Sequence, residues 1–320
     1  MKAIGGYFEF ADRGRETAIP IDGALLNTGR NALEYILLHL TDLKRIFLPY
    51  YTCEAVIQPL RRHSIEYSFY HINEQLEIAE HIRLNEGDYL IANNYFGLKD
   101  AYIARLAKIF GDRLIVDNAQ AFFAPVIEEI KAIYSPRKFV GVADGGIAVG
   151  VDALDTLKYN EDDSSKHDSH LKIRKDFGAE TGFKDYQTNE GKLDGQPILR
   201  MSETTADILH HIDYEYVRTR RKENFKYIHT ALGEINQIMI PPVDSFTCPM
   251  VYPFLCEGKG NLRARLIDNK VFVARYWPNV LDWTTSIDLE KYLAINLLPL
   301  PIDQRYGKED MERIVHIINN

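Results

Sequence analysis

Over the first 150 residues, short apolar runs alternate with helical patterns, and this alternation constrains the fold more than any other feature. RIFLP (45–49), IEYSFY (65–70), YLIAN (89–93), LIV (114–116), AIYS (132–135) and GGIAVG (145–150) read as strands. GRNALEYILLHLT (29–41) places Ala32, Leu33, Ile36, Leu37 and Leu40 on one helical stripe, and helical patterns recur at 53–62 and 100–110. Strands separated by amphipathic helices predict an α/β fold: a mostly parallel central sheet with helices on both faces. Ligands of such sheets bind beyond the carboxyl ends of the strands. The 49–53 segment, Asn94 with Tyr95, and Asp117 all follow predicted strands, so they are expected to converge on one crevice.

Beyond residue 150 the pattern changes. Residues 158–197 are polar, rich in Asp, Lys, Ser and Gly, and show little apolar periodicity. A stretch of this length without a core face reads as a lid or as an element that crosses to a partner chain. His167 and His170 within it share a spacing compatible with one helical face, and the expectation is a solvated surface. A long helix is predicted over 202–232, with Arg218, Arg220, Arg221 and Lys222 as an exposed basic face. After it come MIPP (239–242), a strand at about 249–255, VFVARYWP (271–278) and an amphipathic helix at 308–319. These predict two domains: a large one over 1–200, then the 202–232 helix leading into a small C-terminal α+β domain that completes 201–320.

At 320 residues with 46% hydrophobic residues, the chain can bury a large core. A formal charge of −8 argues against nucleic acid as the main partner, although one cleft can still be basic. Cys53, Cys248 and Cys256 form neither a disulfide framework nor the paired spacing of a zinc site, so no metal is expected. No apolar run reaches the roughly 18 residues that span a bilayer, and the first residues lack the apolar stretch of a secretory signal. The expectation is a soluble cytoplasmic protein with no membrane partner.

One stretch carries chemistry: LIVDNAQAFFAPVIEEIKAIYSPRKFVGVADGG, residues 114–146. Asp117 ends a strand, Gln120 follows three residues on, and Lys138 stands after the next strand, before the Asp144-Gly145-Gly146 turn. An acid and a lysine at neighbouring strand ends suit pyridoxal 5′-phosphate: the acid pairs with the ring nitrogen and the amine takes the aldehyde. Gln120 is placed to donate to the ring's phenolic oxygen. Thr28, Gly29 and Arg30 open a predicted helix, where unpaired backbone N–H groups suit a phosphate, and a plain helix cap explains them equally well. Ser135, three residues before the lysine, is a second candidate phosphate ligand, and Arg137 either holds phosphate or lowers the lysine pKa. No strand is followed by a Gly-x-Gly-x-x-Gly turn, which argues against a dinucleotide enzyme.

Together these residues resemble the DegT/DnrJ/StrS sugar aminotransferases, pyridoxal-phosphate enzymes of the aspartate-aminotransferase fold. NTGRNAL, LPYYTCEAV, NNYFGL, VDNAQA, Lys138 before DGG, RMSETTADIL and LLPLPID stand in the family's order. The resemblance implies that Lys138 is the Schiff-base lysine, Asp117 the partner of the pyridine nitrogen and Gln120 the contact to the phenolic oxygen. It further implies a homodimer with shared active sites, glutamate or glutamine as amino donor and a nucleotide-linked keto sugar as acceptor. Three positions depart from the family. Ile133 stands where a phosphate-binding serine is usual, so Ser135 or Arg137 would substitute. Cys53 stands where an aromatic residue stacks on the ring, so Tyr51 or Tyr95 would cover it. Ile198 replaces an asparagine that reaches the partner's phosphate. The alternatives are a lyase or dehydratase on the same fold and a degenerate binder of cofactor or sugar.

Overall fold

A computed structural model describes residues 2–258 and 260–320. Its strands are β1 (Ile4–Gly5), β2 (Ala24–Leu26), β3 (Arg45–Pro49), β4 (Glu66–Tyr70), β5 (Asp88–Asn93) and β6 (Leu114–Asn118). They continue with β7 (Lys131–Tyr134), β8 (Gly146–Val149), β9 (Val251–Phe254), β10 (Val271–Phe272) and β11 (Leu298–Pro301). Seven of them form one sheet in the order β2-β8-β7-β6-β5-β3-β4. Its centre, from β7 to β4, is parallel, whereas β8 runs antiparallel to both β7 and β2. The sheet is mostly parallel, as the alternation predicts.

Side chains alternate across each strand, and the two faces bury different partners. Ile91, Ile115 and Ile133 pack on one face with Leu33 and Ile36 of α1 (Gly29–Leu38) and Leu60 of α2 (Ile57–Arg62). Leu90, Val116 and Tyr134 pack on the other with Ile103 and Leu106 of α3 (Asp100–Phe110). That second core runs without a break into the C-terminal elements, through Leu300 of β11 and Ile314 of the last helix, Lys308–Asn319.

Three expectations change. Residues 158–197 are structured: α4 (Ser169–Phe177) and α5 (Phe183–Lys192) pack against each other. His167 and His170 are therefore buried rather than solvated. His170 packs tilted against the rings of both Tyr7 and Tyr186, at 5.7 and 5.6 Å, and its Nδ1 meets Asn189 Nδ2 at 3.0 Å. The predicted 202–232 helix is two helices, α6 (Glu203–Leu209) and α7 (Tyr214–Leu232), because Asp213 caps the second by accepting from Tyr216 N–H at 2.9 Å. On α7, Arg221 is wholly buried, unlike the exposed face expected for its cluster. It lies over the Phe139 ring at 4.6 Å and donates to Met250 O at 2.8 Å and Gln304 Oε1 at 3.0 Å. No helix among the described residues is long and apolar enough to cross a membrane.

Candidate active site

The sheet register sets the site. Asn93 of β5, Asp117 of β6 and Ile133 of β7 are side by side at the carboxyl ends of parallel strands. All three face the α1 side, because Ile91, Ile115 and Ile133 do. Ile133 is thereby committed to the α1 core, and Ser135 follows two residues on, just past the end of β7. Lys138 ends the short helical turn Pro136–Lys138 that follows β7.

Asp117 is buried, and its Oδ1 accepts from Ala119 N–H at 2.8 Å. Burial pushes its carboxyl above the usual carboxylate range, while the Lys138 charge pulls in the opposite direction. The same lysine is felt by the Cys53 thiol, which burial also pushes up; Arg30 and Asp117 act on that thiol too. Lys138, Asp117 and Arg30 thus all act on Cys53, so of the strand ends expected to converge Asp117 and the 49–53 segment do come together. Among the described residues, the Lys138 amine makes no hydrogen bond or ion pair.

Gln120 is held on one side only. Its Oε1 accepts from Phe96 N–H at 3.0 Å, while its buried Nε2 has no partner. A buried amide donor left unpaired costs on the order of 1–3 kcal/mol, and the natural occupant is an acceptor that the protein does not itself supply. This is the position where a donor to a phenolic oxygen was expected.

The α1 N-terminus meets the lysine loop. Thr28 caps the helix, its Oγ1 accepting from Asn31 N–H at 3.1 Å. A Cβ built on Gly29 would sit 3.8 Å from Ser135 Cβ, so the helix start and Ser135 face each other. Gly146 allows this approach: a Cβ there would lie 2.2 Å from Thr28 O, inside contact distance. The Ser135 side chain has no hydrogen-bond partner among the described residues. Arg30 instead pairs with Asp194 and donates to Gln58 Oε1 at 3.0 Å, and Arg137 pairs with Glu190 of α5 and donates to Ala143 O at 3.0 Å. Burial works against the Arg137 charge, but Glu190 outweighs it and raises its pKa. The residues present fit pyridoxal phosphate at the amine, the acid, the unpaired amide and the Ser135–α1 junction, with the Arg30 guanidinium engaged elsewhere.

Tyr95 is not brought to this neighbourhood. It lies in the apolar core, donating to Tyr51 O at 2.8 Å, with Tyr51 itself edge-on to Trp277 at 5.1 Å. Residues that the sequence reading missed complete the site. A cavity of about 710 Å3 opens at Ser135, Arg137 and Lys138, and its other walls include Tyr7, His170, Arg174, Tyr186, Arg221 and Tyr276. Tyr276 and Tyr186 both sense Cys53, which places them over the lysine end, and burial raises the Tyr186 phenol to about 12. For Arg221 a signal existed: Val217, Arg221, Phe225 and Ile228 fall on one stripe of α7, three of them apolar. Tyr7 gave none, since it is remote in sequence from every motif.

No protein-family model and no curated protein matches this sequence. Solved structures do. The sugar aminotransferase CalS13 from Micromonospora echinospora aligns with a TM-score of 0.65 at 16% identity, over 92% of this chain and 86% of its own. A DegT DnrJ EryC1 StrS aminotransferase from Brucella abortus aligns with a TM-score of 0.61 at 15% identity, over 93% and 85%. The putative sugar aminotransferase Spr1654 from Streptococcus pneumoniae, solved in PLP and PMP forms, aligns in its PLP form at 14% identity with a TM-score of 0.60, over 92% and 85%. At these identities it is the architecture that is shared, and the chain has the fold of the DegT/DnrJ/StrS-type sugar aminotransferases.

Proposed function

We propose that this protein is a pyridoxal-phosphate-dependent aminotransferase working in two half-reactions, from an amino acid donor to a keto acceptor. The observation that carries the reading is the set at the strand ends: an unpartnered Lys138 amine, the buried Asp117 carboxyl within its field, and the unpartnered Nε2 of Gln120. When bound, pyridoxal phosphate supplies an aldehyde that takes an amine and a ring that accepts the electron pair of the substrate's α-carbon. Lys138 is the amine that would hold that aldehyde, and as a free amine it would move the proton at the substrate's α-carbon. Asp117 would keep a proton on the ring nitrogen, and Gln120 Nε2 would donate to the phenolic oxygen. Ser135 and the backbone N–H groups of the first turn of α1 receive the phosphate. Tyr186 and Tyr276 close the site against water.

Glutamate or glutamine as donor, a keto sugar as acceptor and a homodimer with shared sites are part of the proposal on the strength of the resemblance. Lys138→Ala tests it: the variant is expected to keep its fold and to lose the half-reaction with every donor, and retained turnover would refute the assignment. One observation favours a second reading, cofactor binding without turnover. Thr28 and Arg30 are already engaged, by the helix cap and by Asp194, which leaves few groups for the phosphate. Bound cofactor with no half-reaction across a donor panel would favour that reading.

A further inference from the structure

The far end of the cavity is chemically unlike the lysine end. Arg174 of α4 lines it, with a side chain only 6% exposed. Its Nε donates to Glu9 Oε2 at 3.0 Å and its Nη2 to Gly5 O at 2.9 Å and Tyr306 Oη at 3.3 Å. Its Nη1 is buried and has no partner. Glu9 does not neutralise it alone, since the same Oε2 also accepts from Arg305 at 2.9 Å. Gly6 leaves room beside the free nitrogen: a Cβ there would come within 3.2 Å of Nη1, and its φ of +70° disfavours any side chain. Arg221, on the same cavity, has carbonyl and amide oxygens as hydrogen-bond partners, and Asp303, whose charge acts on it, is itself paired with Arg305. A buried guanidinium with an unpaired nitrogen, facing a cavity, calls for an anion from outside.

The remaining walls set the rest of the ligand. Phe8, Leu171, Phe183, Phe272, Val273 and Pro299 give the cavity a largely apolar surface. A nucleotide-linked sugar brings two phosphates and several hydroxyls, each needing a partner when desolvated. A carboxylate on an apolar body needs one charged donor and apolar contact. The path between the ends is continuous: the Arg174 guanidinium lies 4.9 Å over the Tyr7 ring, which stacks at 4.9 Å on Tyr186 beside the lysine end.

We propose that Arg174 anchors the carboxylate of a substrate whose body is mainly apolar and carries no nucleotide, in place of the keto sugar that the resemblance alone suggests. This rests on the aminotransferase reading only in taking the cavity to be the substrate's. Isothermal titration of the full chain, with and without added pyridoxal phosphate, compares 3-phenylpropionate with 3-phenylpropionamide, and UDP-glucose serves as competitor. The acid is expected to bind at least tenfold more tightly than the amide, UDP-glucose is expected not to displace it, and Arg174→Met is expected to abolish the preference. Equal binding or no binding of the pair, a preference that survives in folded Arg174→Met, or displacement by UDP-glucose would each overturn the proposal. Should the variant not fold, the wild-type comparison and the competition decide. Failure of the cofactor reading is seen separately, as no borohydride-trapped adduct on Lys138 with the acid preference intact.

Discussion

His170 should make the protein acid-sensitive, and the size of the effect follows from its surroundings. Burial lowers its pKa from 6.5 to about 4, and the Arg137 charge adds to that; Glu190 and Asp168 act in the opposite direction without prevailing. The ring is therefore neutral in the folded state, with Nδ1 accepting from Asn189 Nδ2. Between pH 6.5 and 4 the unfolded chain takes up a proton that the folded one refuses, so stability falls as pH falls through that window. Integrated from pH 7.5 to 4.5, this single group removes roughly 2–3 kcal/mol. His170→Asn keeps an acceptor near Nδ1 and has no proton to take up. The variant is expected to lose about 1 kcal/mol at pH 7.5 from the missing ring contacts, since contacts of this kind are worth roughly that amount. Its deficit should shrink and then reverse as pH falls, because its own curve lacks that drop. Urea unfolding followed by circular dichroism at half-unit steps measures both curves. If the two curves run parallel from pH 7.5 to 4.5, His170 is not held neutral and the packing argument for this segment is wrong.

Other outcomes are equally specific. Gly146→Ala should destabilise the fold by about 2 kcal/mol or more in chemical denaturation, because its Cβ meets the Thr28 carbonyl and neither backbone can yield easily. Glu190→Gln removes the carboxylate that offsets the half-buried Arg137 charge. It should cost roughly 1–3 kcal/mol and speed hydrogen exchange across α5 far more than across the central sheet. Gln120→Met leaves Phe96 N–H without its acceptor, a cost of about 1–3 kcal/mol, and should weaken pyridoxal-phosphate binding in a fluorescence titration. Asp117→Asn should leave the fold intact and slow the half-reaction by at least a hundredfold in stopped-flow absorbance, since an amide cannot hold the ring nitrogen protonated.

The sheet was legible because apolar period and strand length do not depend on distant contacts. Residues 100–110 and 308–319 match their helices at both ends. The lysine end was legible for the same reason: Asp117, Gln120 and Lys138 sit at fixed offsets from strands that the pattern locates. The rest of the cavity wall was not. Tyr7, Arg174, Arg221 and Tyr276 come from four separated parts of the chain and meet only through tertiary packing. Polarity misled in residues 158–197, where Asp, Lys and Ser on the outer faces of α4 and α5 masked a buried side made of His170, Leu171, Arg174 and Asn189. Cys53 and Ile133 could be seen as departures from a family pattern, yet only the register shows that Ile133 belongs to the core of α1.

The central claim is that Lys138 binds pyridoxal phosphate. Its most direct test is the absorbance of the purified protein with added pyridoxal phosphate between about 400 and 430 nm, the range expected of a lysine-bound cofactor, followed by borohydride reduction and peptide mapping. The account predicts a band that reduction removes and a cofactor-modified peptide at Lys138. A protein that shows no band and an unmodified Lys138 would contradict it.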